Sequence, residues 1–189
     1  RNFVRDVIMK QTCKDMMNML ARCVLNLYSY DPDPDNVMVS NVLRQSLQLI
    51  AEFPMIAAYS HRVYKYYNTN DGSMYIHKPV AEYSTAQNIL HILRKDNRFT
   101  DLEAKVLDIC LTLHADHGGG NASTFTTHLS TSTGTDTYSS VAASLGSLKG
   151  PLHGGANLMV CQMFENIKEN LSDWSAPCVT DYVTKLLNK

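Results

Sequence analysis

Thr100-Asp101-Leu102-Glu103-Ala104-Lys105-Val106-Leu107-Asp108-Ile109-Cys110-Leu111-Thr112-Leu113-His114-Ala115-Asp116-His117-Gly118-Gly119-Gly120 is the stretch whose reading decides the fold. Thr100 and Glu103 stand at the spacing of a capping box, in which each side chain serves the other residue's backbone N–H. Val106, Leu107, Cys110, Leu111 and Leu113 then recur at three and four residues, the period of a helix that buries one face. The run ends in three glycines, which cost a helix backbone entropy and supply a sharp turn. The spacing therefore predicts one helix from Asp101 to the glycines. Asn121 caps the next short helix, with Ser123 just inside it.

The same period extends outward in both directions. Val4, Ile8, Met16, Met19, Leu20, Cys23, Val24 and Leu27 fit one helix or two. Asp31-Pro32-Asp33-Pro34-Asp35-Asn36 is a stiff acidic turn. Val39, Leu43, Leu47 and Ile50 open a long helix that meets Pro54, where a kink is expected, and resumes through Ile56, Val63, Tyr64 and Tyr67. Residues 68–79 form a loop, and Ser84 to Lys95 a short helix. Asp136 to Lys149 is a helix with small residues on its faces, Leu152 to Leu171 another, and 177–188 the last. No segment alternates with the two-residue period of a strand. The fold class is all-α, a single helical domain over 1–189, with Met-rich and Ala-rich faces suited to helix-on-helix layers.

Composition narrows the function classes. The chain has 189 residues, 44% hydrophobic, with 17 Lys+Arg against 18 Asp+Glu and a formal charge of -1. That balance leaves no electrostatic footprint for nucleic acid or an anionic membrane surface. No apolar run approaches the about 20 residues of a membrane span. Five scattered cysteines without a C-x-x-C pair suit a reduced, cytoplasmic protein. Arg1 opens directly in helical sequence and Thr180 to Lys189 stops in it, so the chain reads as a piece of something longer.

Two segments can carry chemistry. In the first, His114 and His117 lie three apart on a face shared with Cys110, and His117 falls in the last turn, where the helix dipole favours imidazolium and hence an anionic ligand such as a carboxylate. In the second, Lys149-Gly150-Pro151-Leu152-His153-Gly154-Gly155-Ala156-Asn157, His153 stands at a helix start, where the positive dipole end disfavours its charged form. A neutral imidazole there can donate an N–H to a developing enolate oxygen. Each histidine has a plainer reading as a capping charge or a packing residue. His114, Asp116 and His117, with His128 as a third histidine, also resemble half a metal site, the basis of a metal-dependent hydrolase alternative. No recognised zinc spacing accompanies them, so no metal is expected. His61, His77 and His91 read as surface or packing residues. The Ser-rich run from Ser123 to Ser132 has no nucleophile elbow.

The pairing of His114-x-Asp116-His117…Gly120-Asn121-x-Ser123 with Gly150-Pro151-Leu152-His153-Gly154-x-Ala156-Asn157 resembles the citrate synthase family, including the 2-methylcitrate synthases. Weaker similarity extends from about Met16 to the end and includes Phe53-Pro54-Met55-Ile56-Ala57-Ala58. The resemblance implies a layered antiparallel helix bundle, part of the family's large domain without its small lid domain, and a homodimer meeting through the helices near 16–28, 38–67, 136–149 and 153–170. It implies an acyltransferase of the tricarboxylic acid cycle that condenses acetyl-CoA with oxaloacetate, both as substrates, with no cofactor. By resemblance His117 binds oxaloacetate, and His153 hydrogen-bonds the thioester carbonyl of acetyl-CoA as the enol forms. Ser123 and Asn121 support this site.

The family's second catalytic histidine, in a Gly-x-Gly-His segment, and its catalytic aspartate, in a Val-Asp-x-x-Ser-Gly segment, do not occur here. All seven arginines (Arg1, Arg5, Arg22, Arg44, Arg62, Arg94, Arg98) precede residue 99. A dicarboxylate ketone and a CoA phosphate call for bidentate Arg clamps. The expectation is a citrate synthase dimerisation core carrying half an active site, inactive by itself. The alternatives are a 2-methylcitrate synthase piece acting on propionyl-CoA and a non-catalytic helical homodimer or scaffold.

Overall fold

A computed structural model describes residues 2–70, 73–116 and 118–188. Among them every regular element is helical and no strand occurs. They fall into two compact units, Arg1–Lys149 and Gly150–Lys189.

The first unit opens with a π-helical turn, Val4–Met9, and then α1, Met16–Leu27, so the N-terminal pattern resolves into two elements. The Asp15 carboxylate accepts the Asn18 N–H at 2.8 Å and caps α1. A 3-10 turn at Tyr28–Tyr30 leads into the acidic turn. Next comes α2, Val39–Asn68, a 30-residue helix that passes through Pro54 without a break. Proline removes the bond to the carbonyl four residues earlier. That residue is Ile50, 67% exposed.

Two further helices have local start signals. The helix α3, Thr85–Leu93, carries a Ser84–Gln87 capping box, and α4, Asp101–Ala115, the Thr100–Glu103 box expected from sequence. Glu103 Oε2 accepts the Thr100 N–H at 2.7 Å, while Oε1 holds Arg94 at 2.6 Å. The fifth and sixth helices, α5 (Ala122–Ser132) and α6 (Thr137–Lys149), are joined by a short turn with Gly134 at φ +78°. That connection folds them back on each other as a helical hairpin. Across it the Thr127 and Ser144 hydroxyls meet at 2.6 Å.

The core lies where α6 packs on α1 and α5, and where α2 packs on α1, α3 and the π-helical turn. Ile8, Met19, Val24, Ile56, Val63 and Tyr138 are its largest fully buried apolar side chains. At its edge the acidic turn is anchored from within. Asp31 accepts from Tyr138 (2.6 Å), Arg44 (2.7 Å) and Gln45 (3.2 Å), and Gln45 in turn accepts the Thr137 hydroxyl at 2.6 Å.

The second unit contains α7, Ala156–Asn170, and α8, Ala176–Leu187. The Tyr182 hydroxyl donates to Asn166 Oδ1 at 2.7 Å and ties them together. No helix among the described residues is long and apolar enough to cross a membrane.

Candidate functional site

α4 does not reach the glycines. It ends at Ala115, because Asp116 adopts extended backbone (φ -109°, ψ 110°) as its C-cap. His117, expected in the last turn, lies outside the described residues. His114 turns back on its own helix, donating from Nδ1 to the Cys110 carbonyl at 2.7 Å, which sets its tautomer.

The loop after α4 is held by hydrogen bonds. Asp116 Oδ1 accepts the Gly118 N–H at 3.0 Å, and Asn121 Nδ2 donates to the Gly118 carbonyl at 2.9 Å. Gly118 has φ +73°, the left-handed region that disfavours a side chain. Asn121 is the N-cap expected from sequence. Its Oδ1 accepts from the Thr124 N–H and from the Ser123 hydroxyl, each at 2.9 Å. Asn121 and Ser123 are thus brought into direct contact, both half-buried. One turn on, the Ser123 carbonyl accepts the Thr127 hydroxyl at 2.9 Å, so the cap is continuous with the α5–α6 hairpin.

His153 belongs to the second unit. The sequence pattern puts a helix start at Leu152, whereas α7 begins at Ala156 with Gly155 as its cap. His153 therefore sits in the preceding turn, where the Gly150 carbonyl accepts the N–H groups of both His153 (2.9 Å) and Gly154 (3.0 Å). The delay has a local cause. Pro151 brings no N–H, and the Gly154-Gly155 pair lowers helix propensity at the expected first turn. His153 is half-buried.

The remaining histidines take structural places. The His77 ring stacks on Tyr75 at 5.0 Å, and its Nε2 donates to the Lys95 carbonyl at 3.2 Å. His91 meets Tyr83 edge-on at 5.7 Å. His61 and His128 are exposed on α2 and α5. Among the described residues no three His, Cys, Asp or Glu side chains converge as a metal site. Asp116, which the sequence offers as a ligand, is spent on Gly118.

Sequence reasoning missed the Asp116–Gly118–Asn121 clamp and the buried Asp31 network. The clamp has one legible signal, an Asp and an Asn flanking a glycine run, both of which readily hydrogen-bond nearby backbone.

Five of the seven arginines are committed elsewhere. Arg5 pairs with Asp6 at 2.7 Å, Arg44 with Asp31 at 2.7 Å and Arg94 with Glu103 at 2.6 Å. Arg22 donates to Asn18 and to the Gln11 carbonyl. Arg62 is buried, over the Tyr75 ring at 4.6 Å.

The family model for the citrate synthase C-terminal domain matches residues 1–189. A citrate synthase of Deinococcus radiodurans is 38% identical over 151 residues, covering 80% of this chain and 38% of that protein. The peroxisomal citrate synthase of Saccharomyces cerevisiae is 38% identical over 152 residues (79% of this chain, 31% of that one). One from Corynebacterium glutamicum is 33% identical over 178 residues (92% and 38%). Among solved structures, the citrate synthase of Pyrobaculum aerophilum superposes with a TM-score of 0.65 at 31% identity, covering 88% of this chain and 40% of that one. The chain thus spans well under half the length of each of these relatives.

Proposed function

Because this chain belongs to the citrate synthase family, we propose that it is the helical core of a parent enzyme that condenses acetyl-CoA with oxaloacetate to give citrate and CoA. The observation that carries the proposal is the pair of histidine segments, His114 to Ser123 and Gly150 to Asn157, in the family's order within a chain that matches the family along its whole length.

In this reading His117 binds a carboxylate of oxaloacetate, and His153 donates an N–H to the thioester carbonyl while a carboxylate outside this chain removes the acetyl methyl proton. Stabilising the enol oxygen is where such a donor acts most strongly. The enol carbon attacks the ketone carbon of oxaloacetate, and hydrolysis of citryl-CoA releases the products. Ser123 and Asn121 support the oxaloacetate side. The chain requires no cofactor in this reading, and a reducing, cytoplasmic setting suits its five free cysteines.

The 189 residues alone are inactive in this proposal. Substrate clamping needs arginines, and five of those present are spent on internal partners. Their role is dimerisation. Val39, Leu43, Leu47 and Ile50 form an exposed stripe on α2, and a groove of about 530 Å³ beside it is lined by Val39, Leu43, Thr127, Thr131 and Val141. An apolar stripe of this kind, flanked by a groove, suits a second copy of the chain.

The test is CoA thiol release from acetyl-CoA and oxaloacetate. The folded chain is expected to release none, and the full-length parent is expected to do so and to lose it in His153→Ala. Release by the chain itself would refute the half-site reading, and an inactive parent would refute the reaction. Running propionyl-CoA in parallel separates citrate from 2-methylcitrate synthesis.

A further inference from the structure

We propose that the buried hydroxyl of Ser140 is a contact reserved for a second copy of the chain. It stands unpaired in one copy and gains its hydrogen bond when the α2 stripe of another fills the groove between α2 and the α5–α6 hairpin. The inference rests on the dimerisation role proposed above and adds to it a polar residue that specifies the contact.

Ser140 lies in the first turn of α6 and is 1% exposed. Among the described residues its Oγ has no hydrogen-bond partner. Its backbone, by contrast, is in use: the N–H donates to the Asp136 carbonyl at 3.2 Å, and the carbonyl accepts the Ser144 hydroxyl at 2.9 Å. A buried hydroxyl without a partner is costly, and alanine would avoid that cost and favour the helix. Ser60 also carries such a hydroxyl, but it is buried on α2 and does not line the groove. Ser140 does.

The groove suits a copy of the helix beside it. Val39 and Leu43 of α2 line one side, Thr127, Thr131 and Val141 of the hairpin the other, and none of the lining side chains is charged. Depletion of charge is the mark of an interface core. Val39 and Leu43 also begin the exposed stripe that Leu47 and Ile50 continue. One helix thus presents a ridge and walls a groove, so two copies related by a two-fold axis can each seat a ridge in the other's groove. A second copy covers ridge and groove together, which a ligand in the groove alone does not.

Other hydroxyls along the groove are already spent. Thr127 bonds to the Ser123 carbonyl and meets Ser144, Thr131 donates to the Thr127 carbonyl, and Thr137 donates to Gln45. The Ser140 hydroxyl is held in reserve. Rotation about one bond, between staggered positions, turns a serine hydroxyl toward a polar group of the incoming helix. In a groove emptied of water that bond is strong and fixes the register of the two copies.

Dilution of the 189-residue chain, followed by light scattering, measures the dimer dissociation constant. Ser140→Ala is expected to raise it about tenfold. At concentrations where the chain is monomeric, the urea midpoint of the same variant is expected not to fall, because the group removed had no partner there. Ser139→Ala makes the same change on the next residue of α6, which does not line the groove, and is expected to leave the constant unchanged. An unchanged constant in Ser140→Ala would overturn the proposal. So would a lower monomer midpoint, which would mean that the hydroxyl is paired within one copy. A chain that stays monomeric at every concentration would refute the dimerisation reading and this inference with it, whereas a dimer indifferent to Ser140→Ala would refute the inference alone.

Discussion

The Tyr138 hydroxyl donates to the Asp31 carboxylate at 2.6 Å, joining α6 to the acidic turn across 107 residues of sequence. Tyr138 is 1% exposed and the Asp31 side chain is fully buried, so the bond lies in a low-dielectric setting where a missing donor is costly. Tyr138→Phe is expected to destabilise the chain by about 2 kcal/mol, read as a lower urea midpoint at unchanged slope. An unshifted midpoint would mean that Arg44 and Gln45 suffice.

Acid should unfold the protein through the same group. Burial opposes ionisation of Asp31, but the hydroxyl of Tyr138, the Asp33 N–H, Arg44 and Gln45 outweigh it and bring its pKa down to about 2. The Arg94 guanidinium and the Thr100 N–H hold Glu103 at about 2 as well. In each case the folded state binds protons less readily than the unfolded one. The stabilisation is therefore whole above the unfolded carboxylate pKa of about 4 and is lost as pH falls from there toward about 2. Asp31→Asn is expected to flatten the pH dependence of the thermal midpoint over that window, and an equally steep profile in the variant would count against the assignment.

Thiol reactivity should divide the cysteines. Burial pushes the Cys23 thiol up to about 11, leaving about one thiolate in a thousand at pH 8. Cys110, Cys161 and Cys178 are exposed. Iodoacetamide labelling followed by peptide mass spectrometry is expected to modify those three in the native chain, and Cys23 only after denaturation.

The two capping boxes should each show a measurable cost. Thr100→Ala leaves the Glu103 N–H without its side-chain acceptor and is expected to destabilise α4 by about 1 kcal/mol, with Ser84→Ala similar for α3. Loss of helical circular dichroism on heating a few degrees earlier is the readout.

The exposed stripe on α2 tests the dimer. Val39 is 84% exposed, and Leu43 and Leu47 are each 58% exposed. Leu43→Glu with Leu47→Glu introduces charge without removing core contacts. The pair is expected to shift the light-scattering mass from dimer to monomer while the helical spectrum is retained. A wild-type monomer would refute the dimerisation role directly.

What the sequence determined by itself is whatever depends on neighbours in the chain. The Thr100–Glu103 box and the Asn121 cap are legible because the donor and acceptor are three residues apart, within one turn. The all-helical class follows from a period that repeats along the chain, and the two histidine segments are contiguous runs whose residue order can be matched directly. Tertiary structure decided the rest. α2 runs unbroken through Pro54, held by its packing on α1, α3 and the π-helical turn. α7 starts at Ala156, four residues after the position the period suggests, because the Gly150 carbonyl gathers two N–H groups into a turn first. The Asp-Pro-Asp-Pro stretch reads as a stiff acidic turn, and only packing against α2 and α6 makes Asp31 a buried hub. Its partners lie 13, 14 and 107 residues away, and no periodicity carries information over the longest of those separations. Local hydrogen bonding is written in the order of residues, whereas a buried charge is defined by what the folded chain brings around it.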